Sequence, residues 1–240
     1  MSSGGMRAGP LRLVIFDLDG TLVDSKHNIV FAVGEVAKIL GLTPPAPEHI
    51  PKVIGLTLVD ALAALFPDVD PATHQTLDKE YREVFVRMRA TPGYVEPLFP
   101  GTHELLADLE SAGFLLGVAT GKAKRGATYV LNRHGLTERF VTVQTPDDAP
   151  GKPHSGMILN ALAATGVEPE NALMIGDTTY DIHMALAAGA NALGVSWGNH
   201  SVTELQSAGA HRLVDRLGDL LHACEALTNP PHREARHEVR

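Results

Sequence analysis

Residues 11–21 read LRLVIFDLDGT, and this stretch decides the fold. Its first six residues form a nearly continuous apolar run, which is typical of a strand buried on both faces of a parallel sheet. The run ends in Asp17, and Gly20 allows the chain to turn directly after Asp19. Because ligands bind at the carboxyl ends of the strands in open α/β sheets, we expect both carboxylates to belong to a functional site.

Three further apolar runs are similar to the first, and each follows a helical pattern. They cover residues 114–119, 172–175 and 192–195. Strands that alternate with helices of this length predict a parallel sheet with helices on both faces, which is an α/β architecture.

The alternation is interrupted between residues 26 and 89. Helical patterns cover residues 29–40, 57–66 and 71–89, and no strand pattern occurs among them. Asp70 is suited to be the N-cap of the third helix, and Pro71 suits its first position. Because the segment is far longer than an ordinary crossover between parallel strands, the sequence predicts a small helical domain inserted after the first strand.

Domain boundaries follow from these patterns and from a stretch rich in Pro and Gly at residues 91–100. The predicted division is a flexible leader at 1–10, a core domain at 11–24 and 97–227, a helical cap domain at 25–96, and a flexible tail at 228–240.

Composition limits the classes of partner. The chain has 240 residues and a formal net charge of −8, which does not suit non-specific binding of nucleic acid or of an anionic membrane. No apolar run approaches the roughly 20 residues of a membrane span, and the first ten residues lack the apolar segment of a secretory signal. The single cysteine, Cys224, excludes an intramolecular disulfide. We therefore expect a cytoplasmic protein without a nucleic-acid or membrane partner, and the choice between monomer and homodimer stays open.

Polar side chains follow the predicted strands. Several carboxylates in one place repel each other unless a hard cation holds them, and oxygen ligands without Cys or His favour Mg²⁺ over Zn²⁺. The residues at the strand ends, or in loops beside them, are Asp17, Asp19, Thr120, Lys152, Asp177 and Asp181. This set predicts a magnesium site beside a hydroxyl and a lysine.

The chain resembles the haloacid dehalogenase superfamily, in its phosphatase branch. Four motifs carry the resemblance: DLDGTLVDS at 17–25, ATG at 119–121, GKP at 151–153 and IGDTTYD at 175–181. Any one of them alone is weak evidence, but all four occur in order at the expected strand ends. The resemblance implies a Rossmannoid core, and the helical insert is similar to the cap of phosphoglycolate phosphatases and related small-molecule phosphatases.

The resemblance also implies a role for each motif residue. Asp17 is the nucleophile that forms an aspartyl-phosphate, and Asp19 is the general acid and base. Thr120 and the Gly121 amide hold the phosphoryl oxygens, and Lys152 offsets negative charge on the nucleophile and on the phosphate.

Mg²⁺ is the cofactor that the resemblance implies. Asp17, Asp177 and the backbone carbonyl of Asp19 are its implied ligands, and Asp181 holds the water shell of the metal.

Three further residues are candidates for contact with the substrate. Lys122 and Arg125 belong to a basic cluster, which either binds an anion of the substrate or forms the solvated first turn of a helix. Gly55 precedes a helix of the cap, at a place where the family often has substrate contacts, although a plain turn explains it equally well.

The implied function is Mg²⁺-dependent hydrolysis of a phosphomonoester, a small phosphorylated metabolite, with 2-phosphoglycolate as the candidate substrate. A phosphomutase, a pyrophosphatase and a nucleotidase of the same fold are alternatives. Asp19 and Asp177 argue against a haloacid dehalogenase, whose chemistry needs neither a metal nor the second aspartate. A non-catalytic phosphate-binding regulator is disfavoured because every motif residue is present.

Overall fold

The computed structural model describes residues 10–228, so residues 1–9 of the predicted leader and 229–240 of the predicted tail lie outside the described residues. The strands are β1 Arg12–Phe16, β2 Phe114–Ala119, β3 Thr142–Gln144, β4 Ala172–Gly176, β5 Asn191–Val195 and β6 Arg212–Val214. The helices are α1 Lys26–Ile39, α2 Leu58–Leu65, α3 Pro71–Ala90, α4 Thr102–Ser111, α5 Lys124–Arg133, α6 Gly156–Thr165, α7 Thr179–Ala187, α8 Val202–Ser207 and α9 Leu220–Thr228.

The strands form one parallel sheet in the order β3-β2-β1-β4-β5-β6. β1 lies at its centre, where Phe16 is in register with Val118 of β2 and with Ile175 of β4. Pairing continues for one residue, because the Asp17 amide donates to the Ile175 carbonyl at 3.0 Å. The carboxyl ends of parallel strands meet at one edge, so the residues that follow β1, β2 and β4 converge there.

The two faces of β1 are covered by different helices. Val14 and Phe16 belong to a hydrophobic cluster with α4, α5 and α9. Leu13 and Ile15 pack in a second cluster with α6, α7 and α8. The division follows from the two-residue period of a strand, since successive side chains point to opposite faces. A continuous apolar run is therefore what a strand buried on both faces requires.

Helices α1, α2 and α3 lie between β1 and β2 in the chain, and we call residues 25–96 the cap. The helices share a hydrophobic cluster of their own, which includes Val33, Leu62 and Leu77. Thr57 caps α2 by accepting from the Asp60 amide, and Asp70 caps α3 by accepting from two amides of its first turn. Both caps satisfy backbone donors that a helix start leaves without intrahelical partners.

The two segments that join the cap to the sheet run side by side. The Asp24 amide donates to the Pro97 carbonyl at 2.8 Å. Val23 and Leu98 form an antiparallel bridge. The chain therefore leaves the core and returns to it at one place.

The structure confirms the α/β class and the parallel sheet. All four predicted strands are present within one residue of their predicted ends, and β3 and β6, of three residues each, were missed. The three predicted helices of the cap are present as α1, α2 and α3, whereas the division into two domains stays a prediction. In the described part of the chain, no helix is both long and apolar enough to cross a membrane.

Candidate active site

Asp17 follows β1 directly, and its side chain is buried. Its Oδ1 accepts a hydrogen bond from the Leu18 amide at 2.7 Å. Its Oδ2 lies 2.9 Å from Lys152 Nζ, yet it accepts no hydrogen bond of good geometry from any described residue. This oxygen of the buried carboxylate is therefore held by its ion contact with Lys152 alone.

Two more carboxylates face Asp17. Asp177 follows β4, and Asp181 lies in the first turn of α7. The three residues are buried, and each places a carboxylate oxygen within 4.8 Å of the others. The parallel sheet brings them together across about 160 residues of chain, because β1 and β4 are neighbours.

Hydrogen bonds from two loops hold Asp177. Thr21 Oγ1 donates to one of its oxygens at 2.9 Å. The other accepts from the backbone amide and from Nδ2 of Asn199, each at 2.8 Å. Gly198 must lack a side chain here, since a Cβ would overlap the Asp177 side chain. The orientation of Asp177 thus depends on the loop after β5.

Asp181 is held by the N-terminus of its own helix. It forms a capping box with Thr178, whose amide and hydroxyl both donate to Asp181 Oδ2, at 3.0 and 2.7 Å. Its Oδ1 accepts from Lys152 Nζ at 2.6 Å. Burial lowers the pKa of Lys152, but the charges of Asp17 and Asp181 outweigh it and raise that pKa to about 12. Lys152 is therefore a protonated bridge between the two carboxylates.

The carboxylates of this cluster outnumber its one lysine. Burial raises the pKa of Asp17 to about 8, with repulsion from Asp181 and Asp177 acting against the attraction of Lys152. Burial and the charge of Asp181 raise the pKa of Asp177 to about 6. A hard divalent cation would offset this repulsion, and oxygen donors alone suit Mg²⁺. The residues present therefore fit a magnesium ion held by Asp17, Asp177 and Asp181.

Asp19 stands apart from that cluster. Its carboxylate is not among the three neighbouring ones, so only its backbone carbonyl is left for the metal contact that the sequence predicts. Its Oδ1 instead lies 3.1 Å from Lys122 Nζ. The same ammonium lies 3.6 Å from the buried Glu96, which in turn lies 3.6 Å from Arg89 of the cap. Lys122, predicted to contact the substrate, is thus part of a charge network around Asp19.

Thr120 follows β2 and is buried beside the carboxylates. Its amide donates to the Gln144 carbonyl at 3.1 Å, which fixes the backbone to β3. Its hydroxyl accepts from the Lys122 amide at 3.2 Å. Thr120 and Gly121 line the same cavity as Asp17 and Asp19, so the residues predicted to grip a phosphate face the predicted nucleophile.

The cap lies close over this edge of the sheet. A Cβ on Gly121 would overlap the backbone carbonyl oxygens of Gly55 and Leu56, and a Cβ on Gly151 would overlap Thr57. Gly55, with a φ of +103°, adopts a conformation that favours glycine. It lines the cavity at the junction of cap and core, and its contact with a substrate stays a prediction.

Polar contacts also cross from the cap to the core. Lys52 Nζ lies 2.8 Å from a carboxylate oxygen of Glu204. The Lys52 carbonyl accepts from the Tyr180 hydroxyl at 2.9 Å and lies 3.3 Å from Nε2 of His200. These contacts hold Lys52 of the cap against α7, α8 and the loop that follows β5.

Several residues that hold the site were not predicted, among them Thr21, Glu96, Thr178, Asn199 and His200. His200 is buried, and its Nδ1 accepts from the Thr179 amide at 3.1 Å. Asn199 and His200 follow a predicted strand closely, so the rule that ligands bind at strand ends could have drawn attention to them. Glu96 lies at the end of the cap, in the stretch rich in Pro and Gly, where no periodicity marks a buried charge.

A family model described as haloacid dehalogenase-like hydrolase matches residues 14–195, a range that contains all four motifs. The protein named "Probable phosphatase IndB" from Dickeya dadantii is 36% identical over 217 residues, which is 90% of this chain and 94% of the relative. A phosphoglycolate phosphatase from Xylella fastidiosa is 34% identical over 191 residues, covering 79% of this chain and 82% of its own. A solved haloacid dehalogenase-like family hydrolase from Streptococcus pneumoniae has a TM-score of 0.76 at 27% identity, covering 89% of this chain and 98% of its own.

Proposed function

The chain belongs to the haloacid dehalogenase-like hydrolases and is a phosphatase, and from that premise we propose that it hydrolyses a phosphomonoester with the help of Mg²⁺. The observation that supports this proposal most is the position of Asp17. It combines a buried carboxylate, whose Oδ2 is in ion contact with a lysine at 2.9 Å, with two carboxylates suited to a cation. A nucleophile of this kind needs positive charge from Lys152 and from a bound cation, because a phosphate dianion repels an uncompensated carboxylate.

In the proposed mechanism Asp17 attacks phosphorus, and the bond from phosphorus to the leaving oxygen breaks as an aspartyl-phosphate forms. Asp19 gives a proton to the departing alkoxide, then takes one from the water that hydrolyses the intermediate. Thr120 and the Gly121 amide orient the phosphoryl oxygens, and Lys152 stabilises charge on Asp17. A bound Mg²⁺ would supply electrostatic stabilisation of the phosphoryl group.

The substrate that we propose is a small phosphorylated metabolite. The name of the Xylella fastidiosa relative makes 2-phosphoglycolate the first compound to test. A cytoplasmic location is part of the same proposal. Phosphate transfer within a sugar, as in a phosphomutase, would instead leave no inorganic phosphate, so release of phosphate separates the two reactions.

The test is hydrolysis of p-nitrophenyl phosphate with Mg²⁺ and with EDTA. We expect activity only with the metal, and a loss of roughly 10³-fold or more in kcat/KM for Asp17→Asn. Asp24→Asn is the matched control, because Asp24 lies near Asp17 in the chain and is exposed. A magnesium-dependent rate that survives Asp17→Asn would falsify the proposed mechanism.

A further inference from the structure

One cavity of about 250 Å³ lies between the cap and the core. Asp17, Asp19 and Thr120 line its core side, so the phosphate site opens directly into it. The space continues under the cap, where most lining side chains are hydrocarbon. They include Ile29, Val33, Ile50, Ile54, Leu62 and Phe85. The end of a substrate that is remote from its phosphate must therefore contact an apolar surface.

Charges on the cap side of this cavity already have partners. Arg82 is joined to Asp78 through two nitrogens, each 2.8 Å from a carboxylate oxygen. A terminal nitrogen of Arg89 lies 3.6 Å from Glu96, so its charge is paired, although its buried Nε has no hydrogen-bond partner among the described residues. The cap lining contains one uncharged polar side chain, that of Tyr81. Within residues 10–228, the cap thus presents no unpaired cation to a second anionic group of the substrate.

The core side differs in one respect. Arg125 lines the cavity, is exposed to solvent, and has no carboxylate partner among the described residues. Since an exposed guanidinium stays hydrated, it offers a weak site for a carboxylate. A two-carbon acid such as 2-phosphoglycolate would leave the apolar end of the cavity empty. A longer polar substrate would bury its polar groups there without partners, which is costly.

Resting on the proposed phosphomonoesterase activity, we propose that the substrate class is phosphomonoesters whose alcohol part is apolar. The hydrocarbon part packs under the cap, with about six heavy atoms beyond the ester oxygen, since a cavity of this size is smaller than those that hold drug-sized ligands. Binding then comes from burial of hydrocarbon, which contributes in proportion to the area removed from water.

The experiment compares three substrates with the full-length protein and Mg²⁺: hexyl phosphate, 5-hydroxypentyl phosphate and 2-phosphoglycolate. The first two have the same number of heavy atoms and both have a primary alcohol as leaving group, so they differ only in one buried hydroxyl. We expect kcat/KM for hexyl phosphate to exceed that for 5-hydroxypentyl phosphate by about tenfold or more. We also expect it to exceed the value for 2-phosphoglycolate. Equal values for the two alkyl esters, or the highest value for 2-phosphoglycolate, would overturn the proposed substrate class and leave the phosphatase reaction standing.

A pair of neighbouring variants locates the effect in the cavity. Leu58 lines the cavity, whereas Val59, the next residue of α2, is 60% exposed. Leu58→Asn should lower the ratio of kcat/KM for hexyl phosphate to that for 5-hydroxypentyl phosphate by about threefold or more, and Val59→Asn should not. This ratio does not depend on how much of a variant is folded. If both variants change the ratio equally, or neither does, the apolar wall under the cap is not the selecting surface. If none of the esters is hydrolysed, the proposed function fails, and the substrate class fails with it.

Discussion

Lys122 Nζ lies 3.1 Å from Oδ1 of Asp19, so the residue proposed as general acid has an ion partner from the loop after β2. Burial lowers the pKa of Lys122, but the charges of Asp19 and Glu96 outweigh this effect and raise it. The ammonium is therefore charged at neutral pH. Glu96 beyond it is fully buried at its side chain, and it is the last residue of the cap. The acid of the proposed reaction is thus connected through Lys122 to the end of the cap.

Replacing this lysine tests that connection. Lys122→Met should lower the free energy of unfolding by about 1–3 kcal/mol, because buried Glu96 and Asp19 lose a charged partner. It should also lower kcat by roughly tenfold or more, since Asp19 is no longer held in place. Lys122→Arg should recover part of both losses. Urea unfolding and steady-state kinetics measure them.

Lys124→Met is the control for this variant. Lys124 is exposed and pairs with Asp148 on the surface, so we expect less than about 1 kcal/mol of destabilisation. If Lys122→Met changes the free energy of unfolding and kcat no more than Lys124→Met does, the ion pair between Lys122 and Asp19 contributes to neither.

A methyl group on Gly121 should keep the cap from closing. The Cβ would overlap the carbonyl oxygens of Gly55 and Leu56. We expect Gly121→Ala to lower kcat/KM by about 100-fold, because a displaced cap misplaces the substrate. Gly34→Ala is the matched control. Gly34 lies in α1 with open space around it, so alanine should stabilise the helix by up to about 1 kcal/mol and leave the kinetics unchanged. Wild-type kinetics in Gly121→Ala would contradict the close contact between Gly121 and the cap that the structure shows.

The ion pair between Lys52 and Glu204 should make a small, salt-dependent contribution to closure. Its side chains are 51% and 40% exposed, and such pairs contribute up to about 1 kcal/mol. Lys52→Met should therefore raise KM by at most about fivefold at low salt, and the effect should shrink in roughly 0.5 M NaCl. Lys38→Met, which removes an exposed lysine of the cap far from the core, should leave KM unchanged. A salt-independent change in KM would point to a different role for Lys52.

Removal of the metal should make stability depend on pH. The pKa of Asp17 is raised to about 8 and that of Asp177 to about 6. A carboxyl with a raised folded-state pKa contributes stability that is full below its unfolded value, about 4, and is lost as the pH rises through the folded value. The Tm of protein in EDTA, measured relative to that of Asp17→Asn in EDTA, should therefore fall between about pH 4 and pH 8. Mg²⁺ should restore more stability at the alkaline end than at the acidic end. Parallel Tm curves for the two proteins across this range would contradict the prediction.

Much of the fold could be predicted from the sequence, because a strand that is buried on both faces appears as a continuous apolar run. Apart from Arg12 and Asn191 at the starts of β1 and β5, strands β1, β2, β4 and β5 are apolar, and they were predicted to within one residue. β3 and β6 are three residues long and lie at the two edges of the sheet. An edge strand is only partly buried, so Thr142–Gln144 and Arg212–Val214 mix polar with apolar residues and lack a recognisable period.

The residues at strand ends could be predicted from the sequence, whereas their partners could not. Asp17 and Asp177 come together because parallel strands share an edge. Glu96 reaches Lys122 only through the path of the linker, and Asn199 reaches Asp177 only through a loop without regular structure. Such contacts depend on tertiary packing, which a single sequence does not display.

The cap enters and leaves the core through two adjacent strands of chain, bonded to each other at Asp24 and Pro97. Excising everything between them would leave two ends already side by side, which a short turn could rejoin without moving β1 or β2. We therefore propose that the insert can be exchanged as a unit. Replacing it at this junction would change the helical cover over the cavity and with it the esters accepted, while the sheet edge that carries Asp17 would stay the same.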